Sequence, residues 1–263
     1  MNNSKVVPLY EGTFSVAIDK KFNRIEKGEP PAKGALKLSI NPFLITSGEQ
    51  NILFDTGIGD LLGENTSIET LLDNLSDHGL SDYEITDIFI SHLHFDHMGG
   101  LANRANGYWE LTFPDANIWV SENGWKKLHT VINETESENN QDFFHFIDSM
   151  ANIHFLSDED SPVNNVSTKT IGGHTEFHQA LFFDDGNIRC LMAGDVIGRR
   201  ISINRNFAAK YDFLPKQSMK AREELKKFAY ENDYLILAYH ETDSPIFRLT
   251  DFDNKSGYTV EKL

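Results

Sequence analysis

Ser91-His92-Leu93-His94-Phe95-Asp96-His97-Met98-Gly99-Gly100 follows directly on an apolar run with strand character, residues 85–90 (ITDIFI). In extended chain, side chains two apart point to the same side, so His92 and His94 can face one metal together. If the chain then turns, Asp96 and His97 swing towards a second, adjacent position. Imidazole and carboxylate are suitable ligands for Zn²⁺ and related ions. Gly99 and Gly100 allow tight backbone turns where side chains would clash. Three histidines and an aspartate within six positions at the end of an apolar strand are hard to explain by packing.

Outward from this stretch the chain reads as mixed α/β. Residues 27–34 (KGEPPAKG) form a loop, because paired prolines and two glycines end regular structure on both sides. Residues 35–46 read as extended, interrupted at Asn41-Pro42, and residues 51–54 (NILF) as a short strand closed by Asp55-Thr56-Gly57. Ile68, Leu71, Leu72 and Leu75 mark one apolar helix face, with Thr66 or Ser67 placed to cap it. Residues 91–100 are expected to be a loop. Residues 118–120 are read as a strand, with Ser121 capping a short helix through Leu128. Later strands are expected at residues 176–183, 188–193 and 234–239. A helix is expected at 218–230, with Ala221, Leu225, Phe228 and Ala229 inward and Glu223 paired to Lys227. Strands dominate both halves, which argues for sheets with helices outside rather than a bundle. No linker divides residues 1–263, so one domain is expected. The segment 130–150 is acidic and Asn-rich before it carries Phe143, Phe144, Phe146, Ile147 and Met150. It reads either as a solvated loop followed by a core helix or as an apolar lid over a pocket.

Composition excludes several classes. Lys and Arg number 24 against 40 Asp and Glu, a formal net charge of −16. Such a chain has no general attraction for a phosphate backbone, so no nucleic-acid partner is expected. Cys190 is the sole cysteine, inside an apolar strand, which rules out an intrachain disulfide and suggests a structural role. No apolar run approaches the roughly 18–20 residues of a membrane span, and MNNSKVVPLYEGTFSV lacks the apolar core of a signal peptide. No membrane association and a cytoplasmic location are therefore expected. A homodimer stays open.

Taken with later motifs, the chain resembles the metallo-β-lactamase superfamily. The H-x-H-x-D-H pattern is filled by His92, His94, Asp96 and His97, and Gly173-His174-Thr175 matches the Gly-His-Thr motif. Gly194-Asp195 after a strand, His240 after another, and Asp55-Thr56-Gly57 upstream complete the order, from about residue 12 to about residue 245. The resemblance implies a four-layer αββα sandwich of two mixed β-sheets flanked by helices. It implies two divalent cations, Zn before Mn, Fe or Co, with His92, His94 and His174 on the first, Asp96, His97 and His240 on the second, and Asp195 bridging. Asp55 is expected to orient a ligand imidazole. His178 matches a histidine often found after Gly-His-Thr, but Glu176-Phe177 stands where the pattern usually has Pro-Gly, and its role is left open. His78, His129, His145 and His154 have no motif support.

Two such ions about 3.5–4 Å apart can share a water and make it a hydroxide near neutral pH. That bridging hydroxide would attack an ester or lactone, with Asp96 as proton shuttle to the leaving oxygen. Residues 41–45 (NPFLI), ILFDTGIG, SHLHFDHMGGL, residues 113–117 (FPDAN) and residues 211–215 (YDFLP) followed by Arg222 resemble the lactonase and methyl-parathion-hydrolase-like branch. An acyl-homoserine lactone or an organophosphate ester is therefore the expected kind of small-molecule substrate. Some lactonases of that kind carry a tyrosine shortly after the bridging aspartate, and here Val196-Ile197-Gly198-Arg199 has none. Trp109, Phe113 and the Phe143–Phe146 cluster read equally as pocket lining or core. Arg199, Arg200 and Arg205 read as a solvated loop or as a site for a substrate carboxylate or phosphate. The rival readings are a glyoxalase-type thioesterase, a phosphodiesterase and a mononuclear-iron sulfur dioxygenase.

Overall fold

The computed structural model describes residues 4–62 and 66–263; the first three residues of the N-terminal stretch lie outside it. A six-stranded sheet runs in the order Lys5–Pro8, Phe43–Ser47, Gln50–Phe54, Asp87–Phe89, Asn117–Ser121, Ile153–Leu156. Its first three strands pair antiparallel and the rest parallel. A seven-stranded sheet follows chain order: Glu159–Val163, Val166–Thr170, Gln179–Asp184, Arg189–Met192, Leu235–Leu237, Ile246–Asp253, Gly257–Lys262. Only the Arg189–Met192 to Leu235–Leu237 pairing is parallel, and the helix Pro215–Glu231 makes that crossover. A three-stranded sheet, Phe22–Ile25, Gly12–Val16 and Leu36–Ile40, packs Phe14, Val16 and Ile40 into the core between the two larger sheets.

Alternation along the strands dictates the layers. In Gln50–Phe54, Ile52 and Phe54 point into the core between the sheets, while Leu53 points outward to the helices. Asp87–Phe89 repeats this, with Phe89 inward and Ile88 outward. On the other sheet Leu181, Phe183, Cys190, Met192 and Leu237 face inward, and Ala180, Leu191 and Ile236 outward. The first sheet's outer face is covered by α1 (Glu69–Asp77), the short α2 (Phe95–Met98), α3 (Glu122–Thr135) and α4 (Glu138–Met150). The second sheet's outer face is covered by α5 (Pro215–Glu231), through Ala221, Leu225 and Ala229. The result is the four-layer αββα sandwich. Cys190 is fully buried between the sheets. No described helix is long and apolar enough to cross a membrane.

Several local expectations change. Residues 91–100 are not simply a loop: α2 and a 3₁₀ turn at Gly99–Leu101 occupy the second half. Gly99 and Gly100 are needed for close approach rather than for turning. A Cβ on Gly100 would stand 2.0 Å from Thr56 O, and one on Gly99 2.3 Å from Ile58 O. The helix begun by Ser121, whose Oγ accepts from Gly124 N–H, runs on to Thr135. The acidic stretch read as a loop is thus helical, and Ser137 caps α4. At α1, Ser67 Oγ accepts from Glu69 N–H, while the Asp60 carboxylate takes Ile68 N–H. On α5 the pair Glu223–Lys227 does not form: Glu223 holds Lys226, and Lys227 lies near Glu231. Phe228 is partly exposed rather than inward. The strand expected at 176–183 starts at Gln179, because the preceding residues turn to present His174.

Candidate metal centre

Five histidines and two aspartates converge where the two sheets end. Their ligand atoms form two groups, each lying within 4.8 Å: His92, His94, His174 and Asp195, and Asp96, His97 and His240. The strand Asp87–Phe89 delivers His92 and His94, and the first turn of α2 delivers Asp96 and His97. Parallel backbone contact with Thr56-Gly57 fixes that turn, through Thr56 N–H to His97 O at 2.8 Å. Asp195 sits in the 3₁₀ turn Gly194–Ile197, and His240 follows Leu235–Leu237. Gly194 has φ +44°, and a Cβ there would stand 2.6 Å from His178 Nε2.

Asp195 straddles the two groups. Its Oδ2 lies 3.1 Å from His174 Nε2, and its Oδ1 lies 2.8 Å from His240 Nε2 and 3.2 Å from His97 Nε2. Asp96 Oδ2 lies 3.6 Å from His240 Nε2 and 3.8 Å from His97 Nε2. Yet Asp195 Oδ1 and His97 Nε2 are buried without a hydrogen-bond partner among the described residues. The atoms are close but lack hydrogen-bond alignment.

The opposite ring nitrogens are tied down. His97 Nδ1 donates to Asp55 Oδ2 at 2.6 Å, His174 Nδ1 to Asp212 Oδ1 at 3.0 Å, and His240 Nδ1 to the Ser39 carbonyl at 3.0 Å. Asp55 Oδ2 also takes the Ser91 hydroxyl at 2.8 Å, which frees that oxygen to accept from His92 Nδ1 at 3.1 Å. A neutral imidazole that donates from Nδ1 carries a lone pair on Nε2. Nε2 of His92, His97, His174 and His240 therefore points inward. His94 faces the same point through Nδ1, 2.9 Å from His92 Nε2 and 3.2 Å from His174 Nε2. Lone pairs crowded this closely repel unless a proton or a cation lies among them. The donor set of imidazole and carboxylate fits a divalent metal in each group.

Electrostatics separates the groups. Burial, with other imidazoles near, pushes His92 well below the usual range and His94 down to about 4, so both stay neutral and ready to ligate. Burial opposes charge on His97 too, but the Asp96 and Asp55 carboxylates override it and raise its pKa well above 6.5. His240 is likewise raised, against burial, by Asp195. Burial would raise Asp195, yet His240 and His174 hold it well below the usual carboxylate range. A cation taken up by the second group would have to displace a proton there.

The structure thus brings all seven expected residues together. Asp55 stands where expected, accepting from Ser91 N–H at 2.7 Å as well, from a left-handed backbone (φ +58°). His178 is fully buried, stacks on His92 with ring centroids 4.4 Å apart, and bonds the Ala193 carbonyl at 3.0 Å. His78, His129, His145 and His154 lie outside both groups. Asp212 was given no role by sequence. Its only signal was its place in the segment YDFLP, from which Asp212 Oδ2 also accepts Ala209 N–H. Arg200 is committed to structure: its guanidinium bonds the Asp243 and Ser244 carbonyls and its N–H reaches Glu241, fixing the turn after His240.

A cleft of about 340 Å³ opens onto His92, His94 and His174. It is lined chiefly by apolar groups, among them Leu93, Leu128, Val131, Phe177 and Phe213. Tyr211 enters it from the segment that supplies Asp212, so a tyrosine is present though none follows Asp195 closely. Trp109, Phe113, Phe143 and Phe144 do not line it. Phe113, Phe143 and Phe144 are fully buried under the helices, where Phe143 packs edge-on to Trp109. Of residues 130–150, only Val131 lines the cleft. A larger groove, about 820 Å³ along Asn164–Ser167 and Tyr234, contains none of the seven donors.

The family model described as the metallo-beta-lactamase superfamily matches residues 36–240, most of the chain. The chain belongs to the metallo-β-lactamase superfamily. Solved structures agree on the fold. A probable metal-dependent hydrolase from Staphylococcus aureus superposes with a TM-score of 0.78 at 19% identity, covering 100% of this chain and 99% of that one. The hydrolase AbOPH of the beta lactamase superfamily gives 0.78 at 20%, covering 99% and 94%. AidC, a dizinc quorum-quenching lactonase in complex with a product, N-hexnoyl-L-homoserine, gives 0.75 at 20%, covering 100% and 98%. No curated protein matches the chain.

Proposed function

We propose that this superfamily member is a dinuclear metal-dependent hydrolase of neutral, partly apolar esters or lactones, an acyl-homoserine lactone or an organophosphate ester among them. The observation that carries the reading is the pair of donor groups straddled by Asp195, in which the buried His97 Nε2 and Asp195 Oδ1 face each other without a hydrogen bond among the described residues, with an apolar cleft opening onto His92, His94 and His174. His92, His94 and His174 would hold one ion, Asp96, His97 and His240 the other, and Asp195 both. When bound, two divalent cations, zinc before manganese, iron or cobalt, supply Lewis-acid polarisation and a water of lowered pKa.

The chain's own residues do the rest. Asp55, Ser91, Asp212 and the Ser39 carbonyl hold the imidazoles in the tautomer that offers Nε2 inward. The apolar cleft walls orient an acyl or aryl group beside His92, His94 and His174 and keep water from its far side. Asp96, with Oδ2 turned to His97 and His240, carries a proton on its other oxygen to the leaving oxygen. The seven donors are all present, so a non-catalytic binding role has no support. The −16 charge and an apolar cleft disfavour polyanionic substrates.

The test combines metal analysis with hydrolysis of lactones, aryl esters, phosphotriesters and a glutathione thioester. Two zinc-like ions per chain and turnover of neutral esters or lactones are expected. A single iron with dioxygen consumption overturns the reading in favour of a sulfur dioxygenase. A tenfold or greater preference for the thioester or a phosphodiester, lost in Arg199→Ala, overturns it in favour of those activities.

A further inference from the structure

The cleft has two walls. One is the face of α3 that carries Gly124, Lys127, Leu128 and Val131, spaced as successive turns of a helix. The other is the loop from His174 to Phe177 together with Phe213. The walls nearly touch at Gly124, where an added Cβ would lie 3.5 Å from Phe177 Cβ. One turn further along α3, Lys127 pairs with Glu176 across the gap, and its ammonium lies 4.7 Å over the Phe213 ring. Val131, a further turn along, lines the same cleft. The ion pair therefore bridges the two walls between Gly124 and Val131.

Apart from the histidines, Lys127 and Glu176 are the charged side chains lining the cleft among the described residues. They neutralise each other, so the space offers no net charge to an anionic tail. Both are partly exposed, with 45% and 41% of their side chains open to solvent, so they can part without leaving a buried charge. Glu176-Phe177 stands where the superfamily pattern usually has Pro-Gly, which would supply neither the carboxylate nor the Phe177 side chain whose Cβ stands against Gly124.

We propose that the Lys127–Glu176 ion pair determines specificity by setting the length of the apolar acyl group the cleft accepts. This rests on the hydrolase reading above. A short group beside His92, His94 and His174 stops before the pair. A long one, extending towards Val131, must part it. Phe213, under the Lys127 ammonium, adds a second contact that parting disturbs.

The test uses a series of p-nitrophenyl esters from acetyl to decanoyl and the quotient of kcat/KM, decanoyl over acetyl, within each protein. Lys127→Met and Glu176→Gln keep side-chain volume but remove the pair. Each is expected to raise the quotient about two- to fivefold, the range an exposed ion pair can impose. The double variant Lys127→Glu with Glu176→Lys restores a pair and is expected to bring the quotient back towards that of the parent. A quotient unchanged in the single variants, or raised equally in the double variant, overturns the proposal. A binding arm separates this from the parent reading: calorimetric titration with 1-butanol and 1-decanol gives the corresponding quotient of association constants, decanol over butanol. If no ester is turned over but the decanol quotient rises in the single variants and falls back in the double, the hydrolase reading fails and the length-setting role stands. If esters are hydrolysed and neither quotient moves, the role is overturned while the hydrolase reading stands.

Discussion

Glu11 is a buried carboxyl with consequences that can be measured without metal. It is 1% exposed, its Oε2 accepts from Ile58 N–H at 2.8 Å, and its Oε1 has no hydrogen-bond partner among the described residues. Burial pushes its pKa from 4.5 up to about 8; the Ile58 N–H and Arg24 pull the other way and only partly offset it. The group is therefore protonated in the folded chain at neutral pH, while the unfolded chain releases that proton above about pH 4.5. The folded state then binds more protons, so stability falls as pH rises between the two values and levels off above the folded one. With values of 4.5 and about 8, the loss between pH 6 and pH 8 is about 2 kcal/mol. Glu11→Gln keeps the shape and has no proton to lose, so it should escape this loss. Melting curves of metal-stripped protein in chelator, at pH 6 and pH 8, provide the assay. The ligand histidines titrate alike in both proteins and cancel in the difference. Relative to the parent, the variant should gain about 4–8 °C in Tm between the two pH values. A gap that stays the same at both would show that Glu11 ionises normally in the folded state.

Further outcomes follow from the metal centre and the core. His94→Ala should lose metal and at least about 100-fold in rate while melting cooperatively, as metal analysis and kinetics will show; full activity in a metal-free variant would sink the dinuclear reading. Asp212→Asn should leave the fold intact but weaken metal affinity about 10–100-fold in competition with a chelator, because His174 loses the carboxylate that fixes its tautomer. Unaltered affinity would mean Asp212 serves only its own loop. Phe143→Ala should lower stability by about 3–5 kcal/mol in denaturant titration, since the ring is fully buried, and should not shift KM for apolar relative to polar substrates. A selective rise in KM for apolar substrates would return the segment 130–150 to the role of a lid.

What could be read from sequence follows from where the chemistry is concentrated. His92, His94, Asp96 and His97 are neighbours in the chain, and the period of an extended segment followed by one helical turn already distributes them to two sides. His174, Asp195 and His240 become legible only with that cluster as anchor, since each alone resembles an ordinary loop or strand-end residue. The layers were legible too, because alternation in NILF and ITDIFI survives burial on both faces. The supporting partners were not. Asp212 reaches His174 from 38 positions away, and His240 is held by a backbone carbonyl 201 positions away, which carries no side-chain signature at all. Glu11 looks like any acidic residue in a chain with 40 of them, until the Gly12–Val16 sheet brings it against Gly57. The phenylalanines of 130–150 were ambiguous for the opposite reason. Apolar side chains at helical spacing fit a core or a pocket equally, and only the positions of α3 and α4 over the sheet assign Val131 to the cleft and Phe143 to the interior. Ligands are thus written in residue type, their support in geometry, and specificity in contacts such as Lys127–Glu176 that join elements the sequence keeps 49 residues apart.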